Sequence, residues 1–149
     1  CNKIIQNMHD GRPGQHGPIT WEKDCVWLPN GLRLHYPDLK LTVDDNGWDQ
    51  WSYASTLKGK PIRKKIYGGL LCENIVQALA RIIVMYQLLD LSRTYRMVLT
   101  THDEGVFCVK KREGDVAFQR MMKRMTTPLD WCHDMPLSAE GGHAHNYSK

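Results

Sequence analysis

The segment 95–109 constrains the fold more than any other. Tyr95-Arg96-Met97-Val98-Leu99-Thr100-Thr101 and Val106-Phe107-Cys108-Val109 read as two strands, separated only by His102-Asp103-Glu104-Gly105. So short a polar interruption between apolar runs makes a tight turn and a β-hairpin. Both runs are nearly continuously apolar, which predicts burial on both faces. Two adjacent carboxylates at the tip of a buried hairpin are an odd choice for structure alone, so Asp103 and Glu104 are candidates for chemistry. The bland alternative is a solvent-exposed polar turn.

The segment 70–91 is the most regular and follows Gly68-Gly69. Ile75, Leu79, Ile82, Ile83 and Tyr86 fall on one helical face, and Glu73, Asn74, Gln77 and Arg81 on the other. A merely solvated face would more often carry Lys and Glu. Asn and Gln both donate and accept hydrogen bonds, which suits them to reading polar edges. A second helix is predicted at about 115–125, with Phe118, Met121, Met122 and Met125 at helical spacing and Thr127-Pro128 as its stop.

Upstream, Pro29-Asn30-Gly31 marks a turn between strands, after which Leu32, Leu34 and Tyr36 alternate with Arg33 and His35. Asp44-Asp45-Asn46-Gly47 marks a second hairpin turn, and Trp48, Trp51 and Tyr53 beyond it fit the packing of a small sheet better than base stacking. Residues 1–24 read as a short helix or coil (Ile4, Ile5, Met8) followed by a loop. Residues 137–142 read as a last short strand and turn, with frayed residues at the end. The fold class is α+β: a small antiparallel sheet centred on the 95–109 hairpin, backed by the helices at 70–91 and 115–125.

Composition narrows the class. Of the 149 residues, 42% are hydrophobic and 24% charged, ordinary for a globular chain. No apolar run reaches the length of a spanning helix, which places the chain in water without a membrane partner. Cysteines at 1, 25, 72, 108 and 132 are odd in number and irregular in spacing. That pattern, with no secretory signal, points to reduced thiols in a cytoplasmic setting. Cys132-His133 and His143-Ala144-His145 could suggest zinc, but no C-x-x-C pairing supports it. The net charge of +4 is compatible with a nucleic-acid partner. The basic clusters Arg63-Lys64-Lys65, Lys110-Lys111-Arg112 and Arg120/Lys123/Arg124 fit such a partner or a solvated face. Without an initiator Met at Cys1, the chain is expected to begin partway through a longer product.

Nucleotidyl transfer needs charge neutralised at the attacking and leaving oxygens, which two divalent ions about 3.5–4 Å apart on carboxylates supply. A rigid turn presenting Asp103 can provide one such ligand, with Glu104 assisting and His102 hydrogen-bonding a sugar or a minor-groove edge. The order of elements adds to this: a Gln-bearing helix, then strand, His-Asp-Glu, strand and helix, and a Glu-Gly near the end.

That order resembles the family-A DNA polymerases, especially the phage members. Tyr67-Gly68-Gly69 precedes the helix Glu73-Asn74-Ile75-Val76-Gln77-Ala78-Leu79-Ala80-Arg81, and His102-Asp103-Glu104 matches the family's motif C. Leu28-Pro29-Asn30-Gly31, Leu34-His35-Tyr36-Pro37 and Leu137-Ser138-Ala139-Glu140-Gly141 are similar to further family strands. The resemblance implies a DNA-directed polymerase that adds deoxynucleotides to a primer 3′ end with Mg²⁺. Asp103 would be a metal ligand and catalytic, Glu104 an auxiliary carboxylate, and Gln77 and His102 minor-groove contacts, with Asn74 and Arg81 on the same DNA-binding face. The implied partners are primer–template DNA, dNTP and the remaining polymerase polypeptide.

Residues 1–25 would follow the fingers region and 26–149 form the C-terminal part of the palm. The sequence departs from the family pattern in three places. No motif A aspartate precedes the helix, Asp44-Asp45 lying in a turn. The fingers helix is missing. Ile82 stands where the phage type commonly has Asp. The chain alone is therefore expected to be inactive. A non-catalytic nucleic-acid-binding module and a decayed polymerase remnant are the alternatives.

Overall fold

The computed structural model describes residues 1–44 and 46–147. Asp45, half of the carboxylate pair noted in the second turn, and the last two residues, expected to fray, lie outside the described residues. The chain forms two compact units, Cys1–Leu79 and Ala80–Lys149. The fold is α+β, as expected, with three α-helices among the described residues and small antiparallel sheets.

The first unit opens with helix α1 (Asn2–Asp10), which buries Ile5 and Met8. Gly11 ends it at φ 67°, and the Arg12 N–H donates to the Asn7 carbonyl at 2.8 Å, a left-handed cap that glycine adopts without strain. A four-stranded meander follows: β1 (Gly14–His16), β2 (Ile19–Glu22), β3 (Cys25–Trp27) and β4 (Arg33–His35). The loop expected before residue 24 is thus largely a hairpin. Gly17 makes its turn at φ 53°, and Gly14 lies so close under the Trp21 indole that no Cβ fits there. The turn at Pro29-Asn30-Gly31 forms where expected, with the Leu32 N–H donating to Asn30 Oδ1 at 3.1 Å and Gly31 at φ 80°.

A three-stranded antiparallel sheet comes next, from β5 (Lys40–Val43), β6 (Asp49–Leu57) and β7 (Lys60–Ile66). Asp44 Oδ1 accepts the Asn46 and Trp48 N–H groups at 2.9 Å each. Lys58 at φ 49° and Gly59 at φ 77° form a two-residue turn, whose left-handed geometry matches the strand twist. Arg63 locks this sheet. Its guanidinium donates to Ser52 Oγ at 3.0 Å and to the Ser52 carbonyl at 2.9 Å. It also reaches Asp38 Oδ2 at 2.9 Å and the Asp38 carbonyl at 2.7 Å. This first unit buries Ile5, Met8, Val26, Leu28, Tyr36, Leu39, Ile66, Leu71 and Ile75.

Helix α2 (Gly68–Ser92) begins in the first unit and continues into the second. Its buried residues include Ile75 and Ile83, as the periodicity predicted, but Tyr86 is 57% exposed. By length and composition α2 could cross a membrane, with a mean hydropathy of 1.4 over its best window. The expectation that no apolar run reaches that length is corrected here. Polar residues interrupt the run without lowering its average enough.

The second unit holds β8 (Arg96–Thr101), β9 (Glu104–Cys108), a 3-10 turn at Lys111–Glu113 and helix α3 (Gly114–Met125). Gln87, 1% exposed, donates from Nε2 to the carbonyls of Met125 and Thr127, each at 3.0 Å. Arg124 Nε donates to Asp90 Oδ2 at 2.7 Å. These bonds tie the end of α3 to α2. Gly105 packs against the Leu88 side chain, where a Cβ would collide.

Two expectations fail in this unit. The hairpin strands are not buried on both faces: Val98 is 49% and Leu99 43% exposed. The pair is a two-stranded ribbon, and among the described residues no further strand joins either edge. Residues 137–142 form no strand. Pro136 and Gly141-Gly142 disfavour one, and Gly141 instead lies beside Phe118.

Candidate functional site

Pairing of Thr101 with Glu104 leaves His102 and Asp103 as a two-residue loop at the hairpin tip. His102 sits in the left-handed region at φ 53°, which His tolerates better than most side chains. Arg81 Nη1 donates to the His102 carbonyl at 2.6 Å, a charge-assisted bond that holds the turn. Between Met97 and Leu99 the pairing slips by one residue on β8, a bulge of the kind that re-aims strands near functional sites. His102 and Asp103 are exposed, and Glu104 is half-buried. The Tyr147 hydroxyl donates to Glu104 Oε1 at 3.3 Å.

The structure therefore brings Arg81, His102, Asp103 and Glu104 together at one turn. Arg81 engages the backbone there, so at least part of its donor capacity serves the fold. Mg²⁺ is commonly held by one or two protein carboxylates with phosphate oxygens and waters. An exposed Asp103 beside Glu104 fits one such ion. A second ion needs carboxylates beyond this pair, and among the described residues no three His, Cys, Asp or Glu side chains converge. Of the residues weighed for zinc, His133 meets Asp134 at 3.1 Å and His143 meets Asp115 at 2.9 Å.

In the first unit, Gln77 Nε2 donates to Glu73 Oε1 at 3.0 Å on the exposed face of α2. Asn74 Nδ2 donates to the Tyr36 hydroxyl at 3.1 Å. Burial pushes the Tyr36 phenol above its usual pKa, so it stays neutral as Asn74's partner. Asn74 and Gln77 line an open concavity of about 430 Å³ with Leu34, His35, Tyr36 and Ala78. His35 and Tyr147 are the polar residues that the sequence reading did not single out. The alternation along 32–36 had marked His35 as outward-facing, whereas nothing local marks Tyr147. The basic clusters are partly internal: Arg63 is spent on Asp38 and Ser52, and Arg124 on Asp90.

These features define an α+β chain that presents Asp103 and Glu104 at the end of a hairpin and an amide-bearing helix face. Such a chain is similar to part of the DNA polymerase of Bacillus phage SP02, with 36% identity over 141 residues. The match covers 91% of this chain and 22% of that polymerase, so the chain spans about a fifth of its relative's length. So little of the chain is left outside the match that α2 and the β8–β9 hairpin necessarily fall within it. No family model matches the chain, and no solved structure matches it.

Proposed function

We propose that the chain is the C-terminal palm-side part of a phage-type family-A DNA-directed DNA polymerase. Residues 1–25 would follow the fingers region and 26–149 complete the palm. The observation that carries this reading is the 36% identity to a phage DNA polymerase over 91% of this chain. In this reading Asp103 is a metal ligand and Glu104 assists it. Mg²⁺, when bound, supplies charge neutralisation on the transferring phosphate. Gln77 and His102 contact the minor groove of primer–template DNA, Asn74 shapes the same face through Tyr36, and Arg81 holds the turn that carries His102. The incoming substrate is a dNTP, and the setting is the host cytoplasm.

One principal carboxylate does not hold two ions. The remaining polypeptide supplies the motif A aspartate, the fingers and the thumb, and this chain does not polymerise DNA by itself. Primer extension with Mg²⁺ and dNTPs tests this, on the chain alone and mixed with the polypeptide encoded immediately upstream. Activity is expected only in the mixture and is lost with Asp103→Ala. Extension by the pure chain would refute the incomplete-site reading. Salt-sensitive DNA binding without extension in the mixture would favour a non-catalytic nucleic-acid-binding module.

A further inference from the structure

We propose that the concavity where α1, β6 and β7 meet ahead of α2 takes an unpaired base of single-stranded DNA, with Tyr67 as its stacking platform and Lys65 on the adjoining phosphate. This goes beyond the proposed function, whose named contacts are to the minor groove of paired DNA and to a dNTP. It rests on that reading only for DNA as the partner. The concavity lies wholly within the first unit and has a volume of about 590 Å³, in the range of small-ligand sites. Trp51, Tyr67, Asn2, Gln50, Asp49 and Lys65 line it.

Tyr67 is 63% exposed, yet its ring is held against the chain. The ring lies so close over Gly69 that a Cβ there would stand 3.0 Å from Tyr67 Cε2. The Tyr67 carbonyl accepts the Leu71 N–H at 2.9 Å, and the next residue, Gly68, donates its N–H to Asn2 Oδ1 at 2.8 Å. Trp51 is half-buried, its ring edge-on to His9 with centroids 5.1 Å apart. Aromatic surface placed in advance lowers the ordering cost of binding. It suits a base of an unpaired strand, whose π-face is free to stack whatever the base. Hydrogen-bonding groups of both kinds surround the rings. Asn2 has its oxygen engaged by Gly68, so it offers its NH₂ to a base carbonyl, and Gln50 can donate or accept. Asp49 accepts from base N–H groups and repels phosphate from its own wall. The exposed Lys65 thus sets the side on which the strand's phosphate lies.

The test is fluorescence anisotropy of a labelled oligo(dT) strand of about 12 nucleotides, titrated with the full chain beside a blunt duplex of equal length. Oligo(dT) does not pair with itself, so its bases are free to stack. Tyr67→Phe keeps the π-face and is expected to bind oligo(dT) as wild type does. Tyr67→Ala removes it and is expected to bind about 10-fold more weakly, with duplex affinity and the circular dichroism spectrum unchanged. Lys65→Ala is expected to lower the slope of log K against log salt by about 0.7, the share of one phosphate on a single strand. Wild-type oligo(dT) affinity in Tyr67→Ala, or an equal loss on the duplex, overturns the stacking site. Wild type that binds the duplex but not oligo(dT) overturns it too and leaves the proposed function standing. Wild type that binds neither contradicts DNA as the partner, and the site falls with it.

Discussion

His102 is held at φ 53° by a two-residue turn and by the Arg81 bond to its carbonyl. A left-handed residue with a Cβ costs about 1–2 kcal/mol, and β-branching raises the cost. His102→Val is therefore expected to destabilise the chain by about 2 kcal/mol in urea titration, while His102→Gly leaves it unchanged or more stable. Equal stability of wild type and His102→Val would show that the turn does not need this conformation. The candidate residues stand out in the sequence because polar side chains interrupt an apolar run. What each touches was not legible: Arg81 and Asn74 read as members of one polar helix face, whereas Arg81 serves a backbone carbonyl and Asn74 a tyrosine. Such pairings join residues 21 and 38 positions apart, beyond the reach of any local pattern.

Among the elements, α2 and the β8–β9 hairpin were read from periodicity and turn chemistry with little error. The hairpins β1–β2 and β6–β7 were missed. Gln15, His16, Thr20 and Glu22 give a polar, short pair, and Lys58-Gly59 lacks the Asn or Asp that usually marks a two-residue turn. Gln87 is the polar residue on which α3 depends. Gln87→Leu removes the donor that two part-buried carbonyls share and is expected to destabilise by about 1–3 kcal/mol in urea, with loss of helical signal.

The β5–β7 sheet carries a pH dependence. Lys40, and then Arg63, hold the Asp38 carboxyl below its usual pKa of 3.8. A depressed folded pKa means this contribution is fully present above the unfolded value. It is lost as pH falls through the lower folded value. Acid titration of stability should show a loss below pH 3.8 that Lys40→Ala diminishes. An identical acid limb in that variant would contradict the assignment.

At the scale of the whole molecule, the sequence overstated burial. Val98 and Leu99 of β8 and Tyr86 of α2 are 43–57% exposed. Apolar periodicity reports the surface that residues need to cover in their full setting, and this chain is about a fifth as long as its phage relative. In the proposed polymerase those faces meet the remaining polypeptide, which also brings the aspartate that Asp103 lacks as a partner. The fold class was legible because each element's pattern is local.

Asp103→Cys, assayed by primer extension in the mixture with the upstream polypeptide, tests the role of Asp103 most directly. A thiolate is a poor ligand for Mg²⁺ and a better one for softer ions. The account predicts a loss of about 1,000-fold with Mg²⁺, about 4 kcal/mol of barrier, and partial recovery when Co²⁺ replaces it. Asp103→Cys as active as wild type in Mg²⁺ would contradict it.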